Sequence, residues 1–279
     1  MASVSVLPRL RDGTTADKKA SLNKSKFMSK FYNIPRSAEW NYDPKRRNYF
    51  TLSRGKLDLF LECPRCFYLD NRLGLKRPEG FPFNLNRAVD ALLKKEFDIH
   101  RAAGKPHPLM KKYGIDAIPL RHEKIEEWRD SMKRGVQVWH EPTGLIVRGG
   151  IDDVWVNPQG ELIVVDYKAT AKDEEVTLDK DWQISYKRQM EVYQWLFRQN
   201  GFKVADTGYF VYVNGRTDLE AFDGRLEFDV KIIPYKGDDS WVEGAILAAQ
   251  KCLAAETIPA ASKDCDYCRY VAARREAEE

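Results

Sequence analysis

The sequence predicts an α/β protein, a small mixed sheet flanked by helices, with the two chain ends joined by a four-cysteine metal site. Three observations carry that expectation. Apolar residues change period along the chain, giving the order helix, strand, strand, strand, helix, strand, helix. Two β-branched runs, Gly149-Gly150-Ile151-Asp152-Asp153-Val154-Trp155-Val156 and Glu161-Leu162-Ile163-Val164-Val165-Asp166-Tyr167-Lys168, flank the turn-rich Asn157-Pro158-Gln159-Gly160, which is the pattern of a hairpin. Two C-x2-C pairs stand nearly at opposite ends of the chain, Cys63 with Cys66 and Cys265 with Cys268.

At 279 residues the chain is long enough for one substantial domain plus a smaller region. The net charge of +4 is unevenly spread: residues 1–47 hold 11 Lys and Arg against 4 Asp and Glu, and the remainder 35 against 38. Residues 1–47, rich in Lys, Ser and Asn and lacking periodicity, are expected to form a basic, largely disordered arm. Such an arm suits phosphate contacts or simple solubility equally; residues 48–279 are expected to form the folded domain. No apolar run approaches the length of a membrane span, and Val4-Ser5-Val6-Leu7 is too short for the apolar core of a secretion signal. A cytoplasmic protein with no membrane partner is therefore expected. Five cysteines in a reducing compartment favour metal ligation over a disulfide framework.

Taken in order, Ser53 resembles an N-cap for a helix through Leu57, Phe60 and Leu61 that runs into Cys63. The chain turns between Pro78 and Pro82. Residues 84–98 then read as a helix with Val89, Leu92, Leu93 and Phe97 as its apolar stripe and Asp90, Lys94 and Lys95 elsewhere on its surface. A loop is expected over 100–108, a helix over 123–134 and a strand from Val136. After the hairpin, Ile184–Gln199 reads as a helix on which Tyr186, Met190, Tyr193 and Phe197 recur at core spacing; Gln189 and Tyr193, four apart, share a face. Residues 207–214 form a strand ending at an Asn214-Gly215 turn, 225–235 another strand, and 239–255 a last helix in which Cys252 is a core residue.

The hairpin carries charge that a sheet core rejects unless it has a partner or a task. Asp166 and Lys168, two apart, share one face, which reads as a divalent-metal site beside an ammonium. A three-residue loop with a bulge sets Asp152 opposite Asp166, whereas a two- or four-residue loop brings Asp153 to that face. The C-x2-C pairs supply four soft ligands at spacings that let each pair bite one metal.

Together these residues resemble the PD-(D/E)XK nuclease superfamily, and within it the RecB-like branch that includes iron–sulfur exonucleases of CRISPR adaptation and AddAB nuclease domains. Gly149-Gly150-Ile151-Asp152 is similar to that family's G-x-[VI]-D strand, Asp166-Tyr167-Lys168 to its (D/E)-x-K strand, Gln189-Met190-Glu191-Val192-Tyr193 to its Q-x-x-x-Y helix, and Cys63-Pro64-Arg65-Cys66 to its N-terminal cysteine segment. The resemblance spans roughly residues 50–270 and implies a restriction-endonuclease-like core. It favours Asp152 for the register and implies that Asp152, Asp166 and the Tyr167 carbonyl hold Mg2+ or Mn2+, that Lys168 orients or deprotonates the attacking water, and that Gln189 and Tyr193 position substrate or the metal-bound water. Asp90 stands where related exonucleases often carry a histidine, and is either a further metal ligand or a surface aspartate. Cys63, Cys66, Cys265 and Cys268 would hold a 4Fe–4S cluster, although the family usually takes one N-terminal and three C-terminal cysteines; four thiolates hold zinc equally well. The implied activity is exonucleolytic cleavage of DNA, as single strands or duplex ends, in repair, recombination or defence. Two other readings compete with it: a catalytically inactive nucleic-acid-binding module on the same fold, and a zinc-bearing structural protein.

Overall fold

Ser53 both ends a strand and caps a helix. In the computed structural model, which describes residues 36–46, 49–78, 80 and 84–279, Phe50–Ser53 is β1 and Arg54–Glu62 is α1, with Ser53 Oγ accepting the Lys56 N–H at 3.3 Å. Extended Cys63 interrupts the helix, and Pro64, at a position where its missing N–H costs nothing, opens α2 (Pro64–Leu73). There follow α3 (Asn84–Ala103), α4 (Pro108–Lys112), β2 (Ile118–Pro119), α5 (Ile125–Arg129), β3 (Val136–His140), β4 (Leu145–Gly149), β5 (Asp153–Val156) and β6 (Leu162–Thr170). The chain continues through α6 (Ile184–Gln199), β7 (Thr207–Gly215), β8 (Phe228–Lys236), α7 (Ser240–Ala254) and α8 (Asp266–Glu278).

The chain divides into two compact units. One comprises Met1–Gly80, Trp139–Ile146 and Ala245–Glu279, the other Phe81–Val138 and Val147–Gly244. In the first unit Leu52, Leu57 and Phe67 are buried, and Tyr49 meets Trp139 edge-on at 4.7 Å. Residues 36–46, grouped with the basic arm on sequence, lie against α2: Tyr42 N–H donates to the Asn71 carbonyl at 2.7 Å, and the Arg36 guanidinium pairs with Asp70 at 3.2 Å. Residues 1–35 and 47 of the expected arm lie outside the described residues, as does most of the turn expected between Pro78 and Pro82.

The second unit is built on a five-stranded sheet in the order β2-β5-β6-β7-β8, in which β6 and β7 run parallel and the other neighbours antiparallel. The mixed pattern expected from the element order is thus present. One face carries Trp155, Ile163, Val165 and Tyr167, packed with Leu93 and Phe97 of α3. On the other face lies α6, where a Cβ at Gly208 would meet the Met190 sulfur at 2.4 Å, so only glycine lets the helix approach that closely.

Several boundaries differ from the sequence reading. Helix α3 continues past residue 98 to Ala103, because Arg101 in its last turn is buried against an acidic partner on β5, while Leu92 of the expected stripe is exposed. The helix expected over 123–134 shrinks to α5: Asp130 accepts the N–H groups of Met132 and Lys133 and turns the chain instead. Strand β7 runs through Asn214-Gly215 without turning there, since the Asn214 side chain donates to the Lys172 carbonyl and accepts its N–H, both at 2.9 Å.

Candidate active site and metal centre

The loop of the hairpin settles which aspartate faces which way. Strands β5 and β6 pair from Asp153 opposite Val165 to Val156 opposite Leu162. Asn157 N–H donates to the Glu161 carbonyl at 3.2 Å, leaving the three-residue loop Pro158-Gln159-Gly160, whose glycine sits at φ 75°. Asp152 stands just ahead of the paired strand, with its carboxylate at the Tyr167 N–H next to Asp166. Asp153 then belongs to the opposite face, with Val165 and Tyr167.

On the α6 side the side chains converge. Lys168 Nζ forms an ion pair with Asp166 Oδ2 and donates to Gln189 Oε1 at 3.3 Å. Gln189 Nε2 donates to Asp166 Oδ1 at 2.7 Å and to the Tyr193 hydroxyl at 3.1 Å. Asp152 Oδ2 accepts the Tyr167 N–H at 2.9 Å, which brings it beside the Asp166–Lys168 strand. From α3, Lys94 Nζ bridges Asp90 Oδ2 at 2.8 Å and Asp152 Oδ1 at 3.3 Å. Asp90 therefore reaches Asp152 through the Lys94 ammonium. Burial, and next the Asp152 charge, push the Asp90 carboxyl up. Burial alone would lower the Lys94 ammonium, but Asp152 and Asp90 outweigh it and hold it above the ordinary lysine value. A cleft of about 390 Å³, lined by Asn86, Val89, Thr170, Tyr186 and Phe228 among others, lies along the same end of β6.

This order of motifs matches a known family. The sequence model of the PD-(D/E)XK nuclease superfamily matches residues 51–273. The chain belongs to that superfamily. No curated protein matches it. Among solved structures, one described as "Crystal structure of SSO0001" is similar at 17% identity with a TM-score of 0.33, over 82% of this chain and 87% of its own. Among the described residues no helix is long and apolar enough to cross a membrane.

In this PD-(D/E)XK chain the second aspartate of the hairpin has different partners from the first. Asp153 is fully buried. It pairs with the Arg101 guanidinium, accepts Arg129 Nη2 at 3.2 Å, and takes the Tyr167 hydroxyl at 2.8 Å and the Val154 N–H at 2.8 Å. Arg129 also donates from Nε to the Asp152 carbonyl at 3.0 Å and from Nη1 to Asp98 at 2.9 Å, so one guanidinium grips the backbone that presents Asp152. Burial, and next the Asp153 charge, hold the Tyr167 phenol well above its ordinary value.

The glycine pair of the nuclease strand has a steric role. A Cβ at Gly149 would lie 2.5 Å from the Tyr193 ring, and one at Gly150 2.5 Å from Ser131. The strand read over 149–156 accordingly breaks there, with β4 ending at Gly149 and β5 starting at Asp153. Lys94 and Arg129 escaped the sequence reading. The i,i+4 pair Asp90–Lys94, adjoining the Val89–Leu93 stripe, was the available signal for the first; nothing local marks Arg129. Tyr186, read as core on sequence, lies half-exposed with Lys168 Nζ 4.5 Å from its ring centroid.

The four cysteines form a separate group that can hold a metal ion, with all four sulfurs within 4.8 Å of one another. Cys63 and Cys265 are the N-caps of α2 and α8. Burial would raise the Cys63 thiol, but the backbone N–H groups of Cys66 and Ser262 and the neighbouring sulfurs bring it down to about 6. Burial, and then the Cys66 and Cys265 sulfurs, push the Cys268 thiol up. Cys252 stays outside the group, half-buried with its sulfur 3.9 Å from the Pro64 carbonyl.

Proposed function

We propose that the protein is a metal-dependent deoxyribonuclease of the RecB-like branch, cleaving single strands or duplex ends exonucleolytically in repair, recombination or defence. The observation that supports this reading is the continuous set of contacts from Asp152 through the Tyr167 N–H to Asp166, Lys168, Gln189 and Tyr193. Asp152, Asp166 and the Tyr167 carbonyl are hard oxygen donors of the kind that Mg2+ and Mn2+ prefer, and would hold such an ion; Asp90, sharing Lys94 with Asp152, adds a third carboxylate. A bound divalent ion supplies Lewis acidity and lowers the pKa of a bound water.

The remaining work falls to the side chains. Lys168, held between Asp166 and Gln189, donates hydrogen bonds to the attacking water and to a non-bridging phosphate oxygen as negative charge builds on it. Gln189 keeps that ammonium and Asp166 in register, and Tyr193 fixes Gln189 from the next turn of α6. The half-exposed Tyr186 ring offers a base a stacking face beside Lys168.

The test is cleavage of end-labelled single-stranded DNA with Mg2+ or Mn2+ by the wild type and by Lys168→Ala. Loss of about 10²–10³-fold in the variant is expected. Absence of cleavage by the wild type with either ion, or equal cleavage by the variant, overturns the proposal. A circular single strand left intact while the linear one is degraded identifies exonucleolytic action.

A further inference from the structure

We propose that Cys63, Cys66, Cys265 and Cys268 hold one tetrahedral zinc ion and not an iron–sulfur cluster. The distances between the sulfurs carry this. Cys66 Sγ lies 3.5 Å from Cys268 Sγ and 3.6 Å from Cys265 Sγ, and Cys63 Sγ lies 3.9 Å from Cys268 Sγ. A tetrahedron of thiolates with zinc–sulfur bonds of about 2.3 Å has edges of about 3.8 Å. Thiolates ligating the four separate irons of a 4Fe–4S cube stand roughly 6 Å apart, beyond the 4.8 Å that encloses all four sulfurs here. The sulfurs are also too far apart for disulfides, whose S–S length is about 2.05 Å. The donors therefore fit a single ion and do not fit the cluster.

The surroundings form a built thiolate site. In each C-x2-C pair the first cysteine is a helix N-cap and the second stands three residues on, so both sulfurs of a pair share one helix end. The positive ends of α2 and α8 and the Arg77 guanidinium, whose Nη2 donates to Cys265 Sγ at 3.4 Å, offset the surplus negative charge of four thiolates on a divalent ion. Cys63, Cys66 and Cys265 are buried, with Leu59 and Ala261 packed against them. An ion there ties the start of α2 to the start of α8, close to the opposite end of the chain.

The experiment uses the full chain, expressed with iron and zinc both supplied and purified without oxygen. Zinc, iron and acid-labile sulfide are measured per chain, and the visible spectrum is recorded. A colourless protein with one zinc is expected; Asp166→Asn and Cys252→Ser retain it, and Cys66→Ser loses it. Exchange with Co2+ should bring the visible absorption of tetrahedral cobalt–thiolate. About four irons with matching sulfide and a brown colour overturn the proposal, and so does protein without stoichiometric metal. Should Cys66→Ser fail to fold, the wild-type metal content and cobalt spectrum still decide. None of these readouts depends on whether the carboxylate site cleaves DNA.

Discussion

Adjacent aspartates on one hairpin should fail in opposite ways when neutralised. Asp153→Asn removes the charge that lies against both Arg101 Nη2 and Arg129 Nη2, at a site with no solvent exposure. The Asn amide adds two donors where Arg101, Arg129, the Tyr167 hydroxyl and the Val154 N–H already all donate. Asp98, 40% exposed, is left as the carboxylate shared by both guanidiniums. Breaking such a buried cluster costs about 3–5 kcal/mol, which for a unit of this size lowers Tm by on the order of 10 °C. Asp152→Asn removes a partly exposed partner of Lys94, which keeps Asp90 at 2.8 Å, so its stability cost should stay within about 1 kcal/mol. Cleavage by Asp152→Asn should nevertheless fall by at least about 10²-fold. Urea and thermal unfolding followed by circular dichroism, with cleavage assayed on the same preparations, give both numbers. If Asp153→Asn unfolds with the wild type, or if Asp152→Asn is the less stable of the two, the division of labour argued from the hairpin register is wrong.

Gly149→Ala should displace the Tyr193 ring, 2.5 Å from the added methyl, costing about 1–3 kcal/mol and lowering cleavage; the same activity and stability assays check it. Glu191 is buried and accepts the Tyr235 hydroxyl at 2.5 Å and Trp241 Nε1 at 2.7 Å, so Glu191→Ala should cost about 2–4 kcal/mol by urea unfolding, the lost bonds to a charged group adding to the orphaned donors. Burial holds the His107 imidazole below its ordinary 6.5 against the opposing pull of Glu96 at 2.8 Å, and its Nδ1 accepts the Leu109 N–H at 3.1 Å, which requires the neutral ring. With the folded value below the unfolded one, His107 contributes stability that is full above pH 6.5 and is lost as pH falls toward the folded value. His107→Gln should therefore flatten the fall in unfolding free energy below pH 6.5, and an unchanged slope would refute the assignment.

The sequence by itself determined four of the five strands of the sheet, β5 to β8, because β-branched runs and their turn residues are local signals: the hairpin, Asp166 and Lys168 on one face, and Gln189 with Tyr193 four residues on; the two-residue β2 carries no such signal. It also named the four cysteines, since C-x2-C spacing survives any separation along the chain. Pattern alone left Asp152 and Asp153 open and only the family resemblance favoured Asp152, for register depends on the loop conformation, and here the three-residue loop with Gly160 in the left-handed region accompanies the observed pairing. Only tertiary structure brought in Lys94 from α3 and Arg129 from α5, which lie 58 and 23 residues from Asp152 and are tied to it by packing alone. The size of the cysteine site was likewise beyond the sequence. Spacing says which sulfurs can share a metal, while the approach of two helix ends, nearly 200 residues apart, fixes how far apart those sulfurs stand and hence what fits between them.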